Sequence, residues 1–278
     1  MLDHRHRPIG RPGHCARRTP GRTIVLASCL AVGVGGILAF GGCGSGGSSS
    51  TVLPGSPSAA DLAPVKGNYE PSIDPGNFVS AVDNRYLPYQ PGTALHYVGV
   101  AENGKTAQTT DVTVTDRTRK VLGVTCMVIR DVVSQGGRQM QRTFDWVAQD
   151  MYGDVWYMGE HTYDFKHGRW VKAIDSGPAG VHGAKPGILM AGAPKPGVAY
   201  RQYYWPKHAE DQAKVLGTKR SLTVPAGTFH NVLVTIETSA IEPGVAEKKY
   251  NAAGVGVVKE QVVRGNHERF DLASVKHS

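Results

Sequence analysis

The sequence contains none of the common motifs of enzymes or nucleotide-binding proteins. It has no Gly-x-Ser-x-Gly elbow, no phosphate-binding loop and no dinucleotide fingerprint. The eight histidines after residue 43 are scattered singly, without the His-x-x-x-His spacing of zinc sites, and no Asp-x-Asp-x-Asp calcium loop occurs. We therefore assign no catalytic residue, no metal site and no cofactor, and we expect binding rather than catalysis.

Cysteine is scarce as well. Of the four present, Cys15 and Cys29 lie in a segment that we expect to be removed, and Cys43 has a separate assignment below. Cys126 alone is then left, so an intramolecular disulfide is excluded. Because Cys126 lies in a strand-like apolar run, VLGVTCMVIRDVV, we expect a buried and inert thiol; a catalytic nucleophile would need a histidine in contact with it.

After residue 42, the sequence has no large excess of charge of either sign. The formal net charge is +8, but the first 42 residues carry six arginines against Asp3 alone. The remaining residues have 25 basic and 22 acidic side chains, an ordinary mixed surface. Basicity therefore gives no argument for nucleic acid, and we expect no nucleic-acid partner.

An uncharged run of residues 23–42 lies between this arginine-rich head and Cys43. A basic head followed by an apolar run is typical of an export signal. Gly41 and Gly42 before Cys43 resemble a bacterial lipobox, although Phe40 stands where an aliphatic residue is usual. We predict that residues 1–42 are a signal peptide and that Cys43 is lipidated, which anchors the protein to the extracytoplasmic face of the cell membrane.

Two alternatives for this segment stay open. Residues 26–29, LASC, also resemble a lipobox ending at Cys29, but the apolar stretch before them is too short to engage a membrane. The second alternative is an uncleaved signal anchor, since about 20 apolar residues can span a bilayer. The glycines in this run weaken such a helix. Both alternatives place the bulk of the protein outside, because the basic head favours the cytoplasmic side.

The rest of the chain divides into a tether and one domain. Residues 43–63 are mainly Gly, Ser, Pro and Ala, which bury too little apolar area to fold, and they are predicted to be a flexible tether. Residues 64–278 show alternating apolar runs with turn signals every 8–12 residues, such as Asn103-Gly104. We predict a single all-β domain with minor helix, an antiparallel meander forming a curved sheet, half-barrel or sandwich.

One stretch of the domain lacks this alternation of apolar runs and turns. Residues 175–197 are dense in Gly and Pro and are predicted to lack regular structure. Connections of this length are uncommon in a compact domain and are often functional. A crossover between two halves of a sheet is nevertheless the favoured interpretation.

Acidic residues concentrate between residues 145 and 164. Turn formation is the favoured interpretation, because tight turns select aspartate. In the alternative, Asp145 and Glu160 face each other across a turn as metal ligands or as an acid and a base. The acidic residues in this concentration are Asp145, Asp150, Asp154, Glu160 and Asp164, and His161 lies among them.

Aromatic residues form a second concentration. Core or cross-strand packing is favoured for most of them, and the remainder would line a ligand cleft. The candidate ligand-binding residues are Trp146, Trp156, Tyr157, Tyr203, Tyr204 and Trp205.

Two sets of residues carry a resemblance to a known family. One set is VPAGTF (224–229) with GVGVVK (254–259); the other is DWVAQDMYGDVWYMGEHT (145–162) with AKPGILM (184–190). Together they resemble a family of uncharacterised bacterial secreted proteins and lipoproteins with a β-rich domain. The resemblance covers most of residues 70–272. It also implies a likeness to the curved half-barrels of lipoprotein carriers, whose concave face can hold an apolar ligand.

Together these observations favour an outward-facing, membrane-anchored lipoprotein whose β domain binds a ligand or partner without catalysis. An apolar small molecule or a lipid is the expected ligand. The alternative is a cell-envelope hydrolase that uses Asp145, Glu160 or a histidine within residues 175–197.

Overall fold

The computed structural model describes residues 57–277. The predicted signal peptide, Cys43 and most of the predicted tether lie outside the described residues. Among the residues that are described, no helix is long and apolar enough to cross a membrane.

The described chain is almost entirely β-structure, with 62% of residues in strands and 3% in helix. This confirms the predicted all-β class. The elements are α1 (Ala59–Leu62), a 3₁₀ turn (Pro75–Asn77), β1 (Phe78–Val79), β2 (Val82–Asn84), β3 (Leu87–Tyr89), β4 (Ala94–Val100), β5 (Ala107–Val121), β6 (Val124–Gln135), β7 (Arg138–Asp150), β8 (Val155–Lys166), β9 (Arg169–Lys172), β10 (Lys185–Met190), β11 (Ala199–Trp205), β12 (Ala209–Val224), β13 (Gly227–Ser239), β14 (Ala246–Ala252), β15 (Gly256–Arg264) and β16 (Arg269–Lys276).

Twelve strands close into an antiparallel barrel. The order around the wall is β7-β6-β5-β4-β16-β15-β14-β13-β12-β11-β10-β8, and the pairing of β8 with β7 closes the ring. The predicted antiparallel curved sheet is therefore confirmed, and its curvature continues to full closure. β1 and β9 are edge strands attached to β7 and β8, and β2 pairs with β3 in a separate small sheet.

The N-terminal segment, residues 57–92, packs over one end of the barrel. The amide of Asn84 donates to the carbonyls of Gly153 (2.8 Å) and Ala191 (3.2 Å), which lie in the β7–β8 and β10–β11 connections. The backbone N–H of Gly254, in the β14–β15 turn, donates to the carbonyl of Arg85 at 2.8 Å. We call the end of the barrel that residues 57–92 pack over the covered end. The opposite end, which holds the β4–β5, β13–β14 and β15–β16 turns, is called the far end.

The last residues of the predicted tether belong to this packed segment. Ala63 is fully buried, and its carbonyl accepts a hydrogen bond of 2.8 Å from the backbone of Arg201 on β11. The side chain of Arg201 also donates to the carbonyls of Pro64 (3.0 Å) and Val65 (3.1 Å). Ala63, which was predicted to belong to the tether, thus packs against the barrel together with residues 64 and 65.

The interior towards the covered end is apolar. Leu95, Val112, Ile129, Ile188 and Leu272 are each exposed by 1% or less and belong to one continuous cluster of buried side chains. Burying each side chain of this size stabilises the fold by roughly 1.5–3 kcal/mol. Period-2 alternation along each strand directs these residues inward.

The prediction for residues 175–197 is wrong in part, because β10 lies within them. Gly187 allows this strand to approach β11 closely: a Cβ there would lie 2.5 Å from the backbone of Gln202. Residues 188–190 are buried on both faces, as short continuous apolar strands are. Since β9 and β10 both pair antiparallel with β8, the segment runs along one strand of a single sheet and is no crossover between two halves.

Candidate functional site

The interior towards the far end is lined by charged side chains. Seven carboxyl groups and one amine there are each exposed by 9% or less, and they alternate with outward residues along seven neighbouring or facing strands. We call this set the acidic interior. It consists of Asp131 (β6), Asp145 (β7), Glu160 (β8), Asp211 (β12), Glu237 (β13), Glu247 and Lys249 (β14) and Glu260 (β15).

Lys249 is the one amine of this set. Its Nζ lies 3.1 Å from Oε2 of Glu237 and 3.9 Å from Oε1 of Glu260. Burial by itself would lower the pKa of Lys249, but the facing carboxylates of Glu237, Glu260 and Glu247 outweigh burial and hold that pKa above its ordinary value. Lys249 therefore remains an ammonium ion.

Asp145 and Glu160 form a second group, directly opposite each other on β7 and β8. The hydroxyl of Tyr157 lies 3.0 Å from Oδ1 of Asp145 and 2.7 Å from Oε2 of Glu160. A phenol has one proton to donate, so two ionised carboxylates could not both be satisfied by it. Burial is the main cause that raises the pKa of both acids, and that of Asp145 also rises because Glu160 is beside it; we assign their shared proton to Asp145.

Asp131 has no such partner. Its side chain is 3% exposed, and neither carboxyl oxygen has a hydrogen-bond partner among the described residues. Its cross-strand neighbours on the inward face are Val112 and Thr143. Burial raises the pKa of Asp131 well above its ordinary range, and the charges of Glu260 and Glu160 raise it further.

Two further carboxyl oxygens of the acidic interior also lack a hydrogen-bond donor within residues 57–277: Oδ2 of Asp145 and Oε1 of Glu260. Leaving a buried polar group unsatisfied costs about 1–3 kcal/mol, and more for a charged group. The acidic interior thus combines an excess of carboxyl groups with acceptor atoms that the described residues do not satisfy.

Of the six predicted aromatic ligand-binding residues, Tyr157 and Tyr203 come together. Their rings meet edge to face with centroids 5.3 Å apart, beside the acidic interior. The hydroxyl of Tyr203 donates to the carbonyl of Gly177 at 2.9 Å. Tyr157 therefore contacts the acidic interior through its hydroxyl, and Tyr203 through its ring against Tyr157.

The other four aromatic candidates lie apart from this pair. The guanidinium of Arg119 lies 4.0 Å from the ring centroid of Trp146. The indole N–H of Trp156 donates a hydrogen bond of 2.8 Å to Asp150. The guanidinium of Arg201 lies 4.3 Å from the ring centroid of Tyr204, while Trp205 lies 4.5 Å from the ring of His208. The six residues consequently do not line one cleft.

The acidic residues 145–164 divide between the two interpretations. Turn formation is correct for Asp150, whose Oδ1 accepts from the backbone of Tyr152 (2.9 Å) and Asp154 (3.0 Å). It is wrong for Asp145 and Glu160, which face each other inside the barrel. Within the described part of the chain, no group of three or more His, Cys, Asp or Glu side chains could hold a metal ion.

Cys126 is fully buried, as predicted. Burial raises the pKa of its thiol to about 12, because the apolar surroundings disfavour the thiolate. At neutral pH the group is therefore a neutral thiol with little nucleophilic character.

Comparisons with known proteins find distant likenesses to solved structures. No family model and no curated protein matches it. Two solved structures are similar: a candidate exported protein with a YmcC-like fold from Bacteroides fragilis (12% identity, TM-score 0.37) and a candidate lipoprotein from Parabacteroides distasonis (11% identity, TM-score 0.38). Each comparison covers 68% of this chain and 97% of the other. At this distance neither likeness assigns the chain to a family or transfers an activity to it.

Proposed function

We propose that the protein is a lipid-anchored binding protein on the extracytoplasmic face of the cell membrane, and that its barrel holds a ligand without catalysis. The observation that carries the binding function is the acidic interior, a set of buried carboxyl groups with acceptor atoms that no donor of the described chain satisfies. Buried polar groups of this kind stabilise a fold poorly, so they favour a role in recognition.

A hydrolytic role fits this arrangement less well. Asp145 is 1% exposed and Glu160 is 8% exposed, inside a closed wall, whereas a hydrolase of envelope polymers needs its carboxylates in an open cleft. His161 points to the opposite face of β8, where its ring lies 4.8 Å from that of Trp146. Two carboxyl groups therefore converge without a histidine beside them.

The anchor follows from the N-terminal sequence. A basic head, an uncharged run and two glycines before Cys43 support export and lipidation. The stretch of residues 44–56, fully extended at about 3.5 Å per residue, reaches at most ~45 Å. The barrel would therefore stay close to the membrane surface.

Replacing Cys43→Ala tests the anchor. We expect this variant to lose incorporation of labelled palmitate and to leave the membrane fraction, because no thiol is left at the cleavage site to carry lipid. Cys29→Ala is the matched control and keeps both properties. Membrane retention of Cys43→Ala without label would show an uncleaved signal anchor, and loss of label in Cys29→Ala would move the lipid to Cys29.

A further inference from the structure

We propose that the acidic interior binds an organic cation through a primary ammonium group, held by the carboxyl groups of Asp131 and Glu260. The inference rests on the proposed binding function and names the chemical class of its ligand. It follows from the charge of the interior and from the acceptor atoms that the described residues leave without a hydrogen bond.

The interior carries a large excess of acidic groups. Seven carboxyl groups face one ammonium ion, that of Lys249, and this ion is engaged with Glu237 at 3.1 Å. The surrounding surface must then be net basic, because the chain after residue 42 has 25 basic and 22 acidic side chains in all. The acids are therefore segregated inside, where a cation is the complementary ligand.

Asp131 is the main acceptor for such a cation. Both of its carboxyl oxygens lack a hydrogen-bond partner within residues 57–277, and its side chain is 3% exposed. Asp145 is its diagonal neighbour on the inward face, because Asp131 is directly opposite Thr143 and Asp145 is two residues further along the same strand. Since Asp145 holds the proton that it shares with Glu160, a nitrogen beside the two aspartates would donate to the carboxylate of Asp131.

Glu260 supplies a further acceptor from another part of the barrel wall. It lies on β15, opposite Lys249 and Phe270, and its charge raises the pKa of Asp131 after the effect of burial. Its Oε1 lacks a hydrogen bond within the described residues. The two oxygens of Asp131 and this oxygen of Glu260 suit an ammonium group, whose three N–H donors point in different directions, better than a planar guanidinium.

Residues 173–179 fill the wall between β8 and β11 beside this group. The backbone N–H of Ala173 donates to Thr162 at 2.9 Å, and the hydroxyl of Tyr203 donates to the carbonyl of Gly177 at 2.9 Å. Asp175 lies within this segment, and its charge acts on Glu160. An acidic residue at this position attracts cations to this part of the wall.

The test measures binding of putrescine to the mature lipidated protein in detergent, by calorimetry at constant ionic strength. We expect saturable binding of putrescine and none of the neutral analogue 1,4-butanediol. Asp131→Asn keeps the size of the side chain and removes its charge, so we expect it to weaken binding at least about tenfold. Asp111→Asn is the control, because Asp111 lies on the outer face and pairs with His96 at 2.7 Å.

The opposite results would overturn the inference. These are no saturable binding of putrescine to the wild-type protein, equal binding by Asp131→Asn, or an equal effect of potassium chloride at the same concentration. If Asp131→Asn does not fold, Glu260→Gln serves as the second variant, with the same expectation. Lipid labelling of Cys43 is measured on the same preparations, so failure of the ligand and failure of the anchor are seen separately.

Discussion

The Nζ atom of Lys249 lies 3.1 Å from a carboxylate oxygen of Glu237, and the two side chains are only 6% and 5% exposed. The register of the barrel produces this pair: on β14, Lys249 faces Thr235 and Glu247 faces Glu237, so the lysine reaches the glutamate diagonally. Water does not screen an ion pair that is buried to this extent. Each charge would be costly to bury without the opposite charge of its partner.

Removing the lysine should therefore destabilise the fold strongly. We expect Lys249→Met to lower the free energy of unfolding by about 3–5 kcal/mol, because Glu237 is left buried and unpaired. The neighbouring Lys248→Met, on the outer face, should change it by no more than about 0.5 kcal/mol. Urea unfolding measures both, and the double variant Lys249→Met with Glu237→Gln should recover most of the loss. A Lys249→Met variant as stable as Lys248→Met would contradict the buried pair.

Stability should fall as the pH rises. Burial is the main cause that raises the pKa of Asp154, Asp211 and Glu268 to about 7, from ordinary values of 3.8 for the aspartates and 4.5 for the glutamate. The folded chain thus keeps protons that the unfolded chain loses near pH 4. The stability they confer is complete below that pH and is lost as the pH rises through about 7.

The measurement is thermal unfolding followed by tryptophan fluorescence at pH 5 and pH 8. We expect the higher melting temperature at pH 5, with a slope of roughly 1.4 kcal/mol per pH unit for each such group between its two pKa values. Asp211→Asn should reduce the difference between the two melting temperatures. Equal stability at the two pH values would count against the burial of these acids.

Sequence reasoning recovered the elements that local patterns determine. The Asn103-Gly104 signal marks the β4–β5 turn, where Gly104 adopts a positive φ of 68°, and the strands follow the alternating runs. Closure of the barrel was not predictable, because β4 pairs with β16 at the other end of the chain. Neighbouring strands along the chain pair by local turns, whereas such distant pairing depends on the curvature of the whole sheet.

The acidic interior could not be predicted from the sequence for a related reason. In residues 246–252, AEKKYNA, polar side chains occupy both faces of the strand, so alternation does not show which face is inward. Charged residues are almost never fully buried unless they are paired, and the pairing of Glu237, Lys249 and Glu260 depends on three strands. The Asp145–Glu160 pair was accessible as an alternative because one tight turn joins their strands.

Close strand approach gives a third prediction. A Cβ at Gly99 would lie 1.9 Å from the carbonyl oxygen of Arg269 on the neighbouring strand, so the two backbones would have to separate. We expect Gly99→Ala to cost about 3 kcal/mol or more of unfolding free energy, measured by urea unfolding. Gly244→Ala is the control, because nothing lies within 4 Å of the added Cβ there. Equal stability of the two variants would contradict the β4–β16 pairing.

Cys126 should resist modification in the native protein. Its thiol is fully buried, and burial raises its pKa to about 12, so both access and thiolate are lacking. We expect no reaction with Ellman's reagent in native buffer and one equivalent in denaturant for the lipidated mature chain. Rapid reaction in native buffer would revive the alternative of a nucleophilic cysteine.

The most direct measurement is native mass spectrometry of the mature protein extracted from its own membrane, comparing wild type with Asp131→Asn. We predict that the wild-type barrel retains a small basic molecule and that the Asp131→Asn barrel has lost it. A wild-type protein without any bound mass, or an apolar lipid retained equally by both proteins, would show that the acidic interior does not bind a cation.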